Sequence, residues 1–228
     1  KKIGELENTI IMFAADNGGC AEFLAEDSNT PNPNQFNNPG PDGKKVNFGN
    51  IPNLRPGPAD TFMSYDLPWA NLSNTPFRLF KRWVHEGGIS TPFIVHWPEK
   101  ILKHNIVDTP VQFADISPTI LDICGSKYPG TFNGKDITPI EGESFARLFD
   151  GYEFSKDKPL CWEHEGNRAV RVGEWKLVSE YPGEWELYNI NDDRSETNSV
   201  GLKFNWLIYV CSFFTNVKIT LSPFYYKA

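Results

Sequence analysis

Two stretches of this 228-residue chain carry side chains whose types and order could do chemistry. The first is the apolar run Thr9-Ile10-Ile11-Met12-Phe13-Ala14-Ala15, which leads into Asp16-Asn17-Gly18-Gly19. A buried strand that ends in a carboxylate, an amide and two glycines delivers hard oxygen donors at its C-terminal edge, where open α/β sheets place their chemistry. Oxygen donors of this kind suit Ca²⁺ or Mg²⁺, and a divalent ion there would neutralise an anionic group and the charge that develops on it. The second stretch runs from Asn74 to Pro92 and contains Lys81, His85, Gly87 and Gly88. Lys81 and His85 are one helical turn apart, so on a helix they would share a face and present cationic groups to an anionic substrate. The competing reading makes Lys81 an ordinary solvated lysine and His85 a structural histidine bonded to backbone. Asp16-Asn17-Gly18 taken alone is more often a turn signature than a ligand pair.

The elements that must hold these residues can be read from pattern. Residues 9–15 predict a buried strand, and 93–97 (Phe-Ile-Val-His-Trp, before Pro98) a short core strand. Phe77, Phe80 and Val84 fall at helical spacing, with Pro76 suited to a first turn and Gly87 to a stop, which predicts a helix over 76–86. Ile116, Ile120, Leu121 and Ile123, with Ser117-Pro118 at the start and Gly125 at the end, predict an amphipathic helix over 115–124. From Pro159 the texture changes to short runs, 160–164, 168–172, 175–178 and 185–188, separated by Gly166, Gly173 and Pro182-Gly183. This predicts a meandering antiparallel sheet. A short helix is expected at 143–150, and the Asn-, Pro- and Gly-rich residues 27–62 read as a long loop. His164 and Arg168 fall in the meander, either at the mouth of a site or as a structural cross-strand pair. His96 and His104 read as structural or exposed.

Composition sets outer bounds. A net charge of −7 argues against general nucleic-acid affinity. No apolar run reaches the ~18–20 residues that a membrane span requires. The four cysteines, Cys20, Cys124, Cys161 and Cys211, are far apart and form no CxxC, so a zinc knuckle is not expected. Lys1-Lys2-Ile3-Gly4 opens in mid-pattern, with no signal peptide.

The ordered series of motifs resembles the sulfatases that use a formylglycine nucleophile, and within them the arylsulfatase branch. It consists of Asp16-Asn17-Gly18-Gly19, Trp69-Ala70-Asn71, Ser73 to Arg78, Lys81 through His85-Glu86-Gly87-Gly88, Ser117-Pro118-Thr119, Trp162 to Arg171, and Trp185-Glu186-Leu187-Tyr188 followed by Asp192-Asp193. The resemblance covers roughly residues 1–200. It implies an α/β fold with an alkaline-phosphatase-like (sulfatase) sheet and flanking helices, plus a small C-terminal antiparallel β subdomain. Residues 1–135 would be the C-terminal part of the catalytic domain, 136–200 the small subdomain and 201–228 an atypical tail. The resemblance further implies a sulfate ester substrate, aryl or carbohydrate, hydrolysed to alcohol and sulfate. It implies Ca²⁺ (Mg²⁺ possible) bound in part by Asp16 and Asn17, Lys81 on the sulfate and the leaving oxygen, and a periplasmic or secreted location. The nucleophile of this family arises from Cys or Ser followed by x-Pro/Ala-x-Arg, and no such sequence occurs here. Ser90-Thr91-Pro92-Phe93-Ile94 comes nearest and has Ile in place of Arg. The formylglycine is therefore expected in an upstream half, and this chain by itself is expected to be inactive. Two rivals stand beside this reading: a phosphoester hydrolase or phosphotransferase of the same superfold, and a truncated product without turnover.

Overall fold

Alternation of apolar and polar residues between tight turns builds the largest sheet among the described residues. The computed structural model describes residues 3–26, 39–40, 42–156 and 158–201. In it, β7 (Leu160–His164), β8 (Asn167–Val172), β9 (Trp175–Ser179) and β10 (Trp185–Asn189) form a four-stranded antiparallel sheet in the order β10-β9-β8-β7. The register pairs Cys161 with Val170, Ala169 with Val178 and Leu187 with Leu177. Glu165 and Gly166 join β7 to β8 with both φ angles positive, 53° and 85°. Two residues of that hand match the right-handed twist of the flanking strands. One face of the sheet buries Ala169, Val178 and Tyr188 with Val84 and Ile190; the other buries Val170, Leu177 and Leu187 against Trp175, Trp185 and Val200. The meander predicted from the sequence is thus present, strand for strand.

Two compact units divide the chain. One comprises residues 1–16 and 92–159, the other residues 17–91 and the chain from Leu160 onward. The first holds β1 (Ile11–Ala14), paired antiparallel with β4 (Phe93–His96). It also holds α3 (Ile116–Ile123), entered through a 3-10 turn at Phe113–Asp115 and preceding a small hairpin of β5 (Thr131–Phe132) and β6 (Lys135–Asp136). The second holds the meander, the short parallel pair β2 (Asn47–Phe48) and β3 (Thr61–Phe62), α1 (Asp66–Asn74) and the four-residue α2 (Glu86–Ile89).

Several expectations are corrected by this arrangement. The strands at 11–14 and 93–96 are present but not buried: Phe13 is 61% and Ile94 58% exposed. Among the described residues their sheet has only these two strands. The boundary expected at residue 135 falls inside the first unit, because the segment after it is tied back to α3. Asp115, fully buried, accepts from the backbone N–H of Gln112 (2.7 Å) and of Glu143 (2.9 Å), and pairs with Lys156. Thr119 Oγ1 accepts from the Phe145 N–H at 3.0 Å, and Phe145 packs edge-on against Phe93 and Phe149. The helix expected at 143–150 is a 3-10 turn, Ala146–Asp150, stopped by Gly151 at φ 81°. The helix over 76–86 does not form. Leu79 (φ 66°) and Arg82 (φ 98°) are left-handed, and a single such residue ends a right-handed helix. The tail 202–228, with Cys211, and residues 27–38 and 41 of the loop expected at 27–62 lie outside the described residues, and the described part of that loop carries the short strands β2 and β3.

Candidate active site

The glycines of the two chemistry-bearing stretches meet backbone to backbone. Gly18 N–H donates to Gly88 O at 2.9 Å, and Lys81 N–H donates to Gly19 O at 3.0 Å. Asn74, at the end of α1, closes the seam: its Oδ1 accepts from Gly19 N–H (2.9 Å) and its Nδ2 donates to Leu79 O (3.0 Å). A Cβ placed on Gly18 would overlap Gly87 O, one on Gly87 would overlap the carbonyl oxygens of Arg78 and Leu79, and one on Gly88 would overlap Trp83 O. None of these three glycines has a positive φ. They are required by close approach of main chain to main chain rather than by a special turn. The seam joins the main chain of the Asn17 turn to that of the Lys81 loop.

Lys81 and His85 diverge from there. The Lys81 side chain is 44% exposed, and it pairs with the still more exposed Glu22 at 3.8 Å. An ion pair so exposed is weak, and the ammonium is available to an anion. His85 is fully buried, and its Nε2 lies 3.2 Å from Glu186 Oε2. Burial, only partly offset by Glu186, lowers its pKa to about 4, so the ring is neutral near pH 7. A carboxylate can only accept, which puts the ring proton on Nε2 and leaves Nδ1 as a bare acceptor with no partner among the described residues. The shared helical face expected for Lys81 and His85 is absent because the loop is not a helix. The structural reading of His85 is the one its surroundings support, with a carboxylate as partner instead of the expected backbone group.

Asp16 lies two residues beyond β1 and is exposed; Asn17 is half-buried, and its Nδ2 donates to Gly18 O at 2.9 Å, which leaves its oxygen free to act as a ligand. Both are hard oxygen donors and fit a calcium ion as two of its six to eight ligands. Among the described residues no group of three or more His, Cys, Asp or Glu side chains converges as a metal site. Asp16 and Asn17 by themselves would make up only part of a coordination shell.

His164 and Arg168 are not brought together. The register sets His164 opposite Asn167 and Arg168 opposite Glu163, so the two alternate to different faces of the hairpin. Both are exposed, and the Arg168 guanidinium lies 5.2 Å from the centre of the Trp185 ring. Asp193 serves as a turn-former, accepting from the N–H groups of Thr197 and Asn198 and from Ser195 Oγ.

What the residue reading missed is a set of charges behind the Lys81 loop. Glu186 Oε2 receives Arg78 Nη1 (3.2 Å), the Tyr188 hydroxyl (2.6 Å) and His85 Nε2 (3.2 Å). Burial works to raise the Glu186 carboxyl, but the Tyr188 and His85 bonds with the Arg78 charge hold it below its usual range. Beside it, Lys176, fully buried on β9, pairs with Glu86 at 2.9 Å and Glu196 at 2.8 Å, while the Glu86 N–H donates to Glu196 Oε2 at 2.6 Å. Burial outweighs Lys176 in setting the Glu196 carboxyl, whose pKa is raised. Glu86 lies 90 residues from Lys176 and 110 from Glu196 along the chain, and Glu186 lies 108 from Arg78 and 101 from His85. Arg78, His85, Glu86, Glu186 and Tyr188 all fall within motifs that carry the resemblance, but their linear order gives no sign that they meet.

The chain matches the family described as Sulfatase over residues 1–126 and that described as N-sulphoglucosamine sulphohydrolase, C-terminal, over residues 77–206. It belongs to the sulfatase family of sulfuric ester hydrolases. An uncharacterized sulfatase of Schizosaccharomyces pombe is 32% identical to it over 228 residues, 92% of this chain and 39% of that protein. The N-acetylglucosamine-6-O-sulfatase of Bacteroides thetaiotaomicron is 26% identical over 210 residues, 88% of this chain and 28% of that protein. The crystal structure of Ps i-CgsB in complex with k-i-k-neocarrahexaose superposes with a TM-score of 0.60 at 21% identity, covering 94% of this chain and 37% of that one. The fold is accordingly the alkaline-phosphatase-like fold of sulfatases, with the antiparallel sheet at the C-terminal side. The chain spans about two fifths or less of the length of these relatives. Among the described residues no helix is long and apolar enough to cross a membrane.

Proposed function

We propose that this chain supplies one wall of the active site of a sulfate ester hydrolase: Lys81 as the cation on the sulfate and leaving oxygen, and Asp16 and Asn17 as ligands of a calcium ion. The observation that carries this reading is the glycine seam. Through it the main chain of Lys81 is bonded to Gly19, two residues from Asn17. The ion, when bound, supplies positive charge to a sulfate oxygen. Lys81 binds the anion through its exposed ammonium and stabilises negative charge as the alcohol oxygen departs. His85 is enclosed and committed to Glu186, so it takes no part in proton transfer to substrate. Substrates of carbohydrate type are supported by the relative named for N-acetylglucosamine 6-O-sulfate and by the neighbour with a bound neocarrahexaose, and a secreted or periplasmic setting is consistent with such substrates. The nucleophile has no counterpart among these 228 residues, which makes turnover a property of a longer protein.

Titration of the isotopically labelled chain with inorganic sulfate in the presence of calcium tests the assignment. The amide signals of Lys81 and of Asn17 to Gly19 are expected to move together, and Lys81→Ala to abolish the response. Shifts confined to other parts of the surface would place the anion elsewhere.

A further inference from the structure

Lys81 has no ion pair of its own strong enough to fix it, and its loop is neither helix nor strand. The loop is nevertheless held at both shoulders. Three residues before Lys81, Arg78 Nη1 reaches Glu186 Oε2 (3.2 Å), the Tyr188 hydroxyl (3.1 Å) and Glu196 O (2.9 Å). Four residues after it, His85 Nε2 reaches the same Glu186 Oε2. The two left-handed residues, Leu79 and Arg82, lie between these anchors, one on each side of Lys81. Backbone in that region costs of order 1–3 kcal/mol per residue and persists only where the surroundings over-determine it.

We propose that Glu186 is a positioning residue for Lys81: one carboxylate oxygen on β10 clamps both ends of the strained loop and so fixes where the Lys81 ammonium stands. The chemistry suits the task. A carboxylate oxygen accepts several charge-assisted or polar donors at once, and the three here are Arg78 and His85 from the two ends of the loop and Tyr188 from β10 itself. The lowered pKa of Glu186 agrees with an ionised group at neutral pH. Val84, beside His85, is buried on the same face of the sheet and supplies the apolar part of the grip. The value of such a clamp for catalysis rests on the reading of Lys81 given above, but the clamp itself can be tested without it.

Amide hydrogen exchange on the labelled 228-residue chain reads the clamp directly, at Lys81 N–H (bonded to Gly19 O), Trp83 N–H (to Phe80 O) and Gly87 N–H (to Arg78 O). In Glu186→Gln these amides are expected to exchange at least tenfold faster, while amides of β8 and β9 keep their protection. In the unaltered chain the loop amides lose protection as acid protonates Glu186 and His85, and in Glu186→Gln this pH dependence is flattened. Glu184→Gln, an exposed neighbour on the approach to β10, is expected to exchange like the unaltered chain. Should Glu186→Gln fail to fold, Tyr188→Phe removes one donor from the same oxygen, and a smaller acceleration confined to the same amides is expected. Loop amides that exchange at the unaltered rate in both folded variants, or acceleration spread evenly over the sheet, would overturn the proposal. Sulfate titration of the same samples separates the two claims. A loosened loop in a chain whose Lys81 signal never responds to sulfate establishes the clamp and refutes the anion role. A sulfate response that is weakened in Glu186→Gln supports both.

Discussion

At the scale of single residues the molecule separates two cations that the sequence sets four positions apart. Lys81 faces solvent and His85 faces the interior. The sequence showed a Lys and a His at helical spacing. It did not show that Leu79 and Arg82 take positive φ, and that conformation is what sends the two side chains in different directions. Nor could it show Glu186, which lies 101 residues from His85 and becomes its partner only when β10 packs behind the loop. The buried histidine has a consequence for stability. Its pKa falls from 6.5 to about 4 on folding, so between those values the unfolded chain binds more protons. The stability it contributes is therefore fully present above pH 6.5 and lost as pH falls toward 4, by roughly 3 kcal/mol in total. Urea denaturation midpoints should fall over this range, and His85→Asn should flatten the fall between pH 6.5 and 5, above the range in which carboxylates titrate. An unflattened curve would assign the loss to other groups.

At the scale of elements, legibility followed the range of the forces involved. The meander was readable because its turns are local: Glu165-Gly166, Gly173 and Pro182-Gly183 punctuate apolar runs of strand length. The helix α3 was readable from its period and its Pro and Gly punctuation. The loop at 77–85 was misread because Phe77, Phe80 and Val84 mimic a helical stripe, whereas Val84 packs onto the β-sheet and Phe77 lies under the Arg194 guanidinium. The nine-residue α1 went unread because Leu67, Trp69 and Leu72 are all exposed and leave no buried stripe to detect. The glycines of Asp-Asn-Gly-Gly and Glu-Gly-Gly were marked as turns, and the structure gives them a different use as the two sides of one seam. Gly87→Ala should accordingly destabilise the chain by about 1–3 kcal/mol or more, since the clash is with carbonyl oxygens that cannot rotate away. A variant as stable as the parent in urea would show that the seam yields.

At the scale of the whole molecule, the order of motifs was more informative than any one of them. The match to the sulfatase family covers residues 1–126, and the second family match extends the coverage to residue 206. The packing nevertheless divides the chain in a way no linear reading suggests, with 17–91 grouped with the C-terminal sheet and 92–159 with the first sixteen residues. That grouping places the Lys81 loop on the sheet that carries Glu186 and Lys176, so the C-terminal strands support the loop. The role of Lys81 is tested most directly by the hydrolysis of an aryl sulfate with calcium present, measured for a full-length sulfatase that contains this sequence, for its Lys81→Ala variant, and for the 228-residue chain alone. Turnover is expected in the first, a kcat lower by roughly 10²-fold or more in the second, and none above a buffer blank in the third. An unchanged kcat in Lys81→Ala, or turnover by the 228 residues alone, would refute the proposed role.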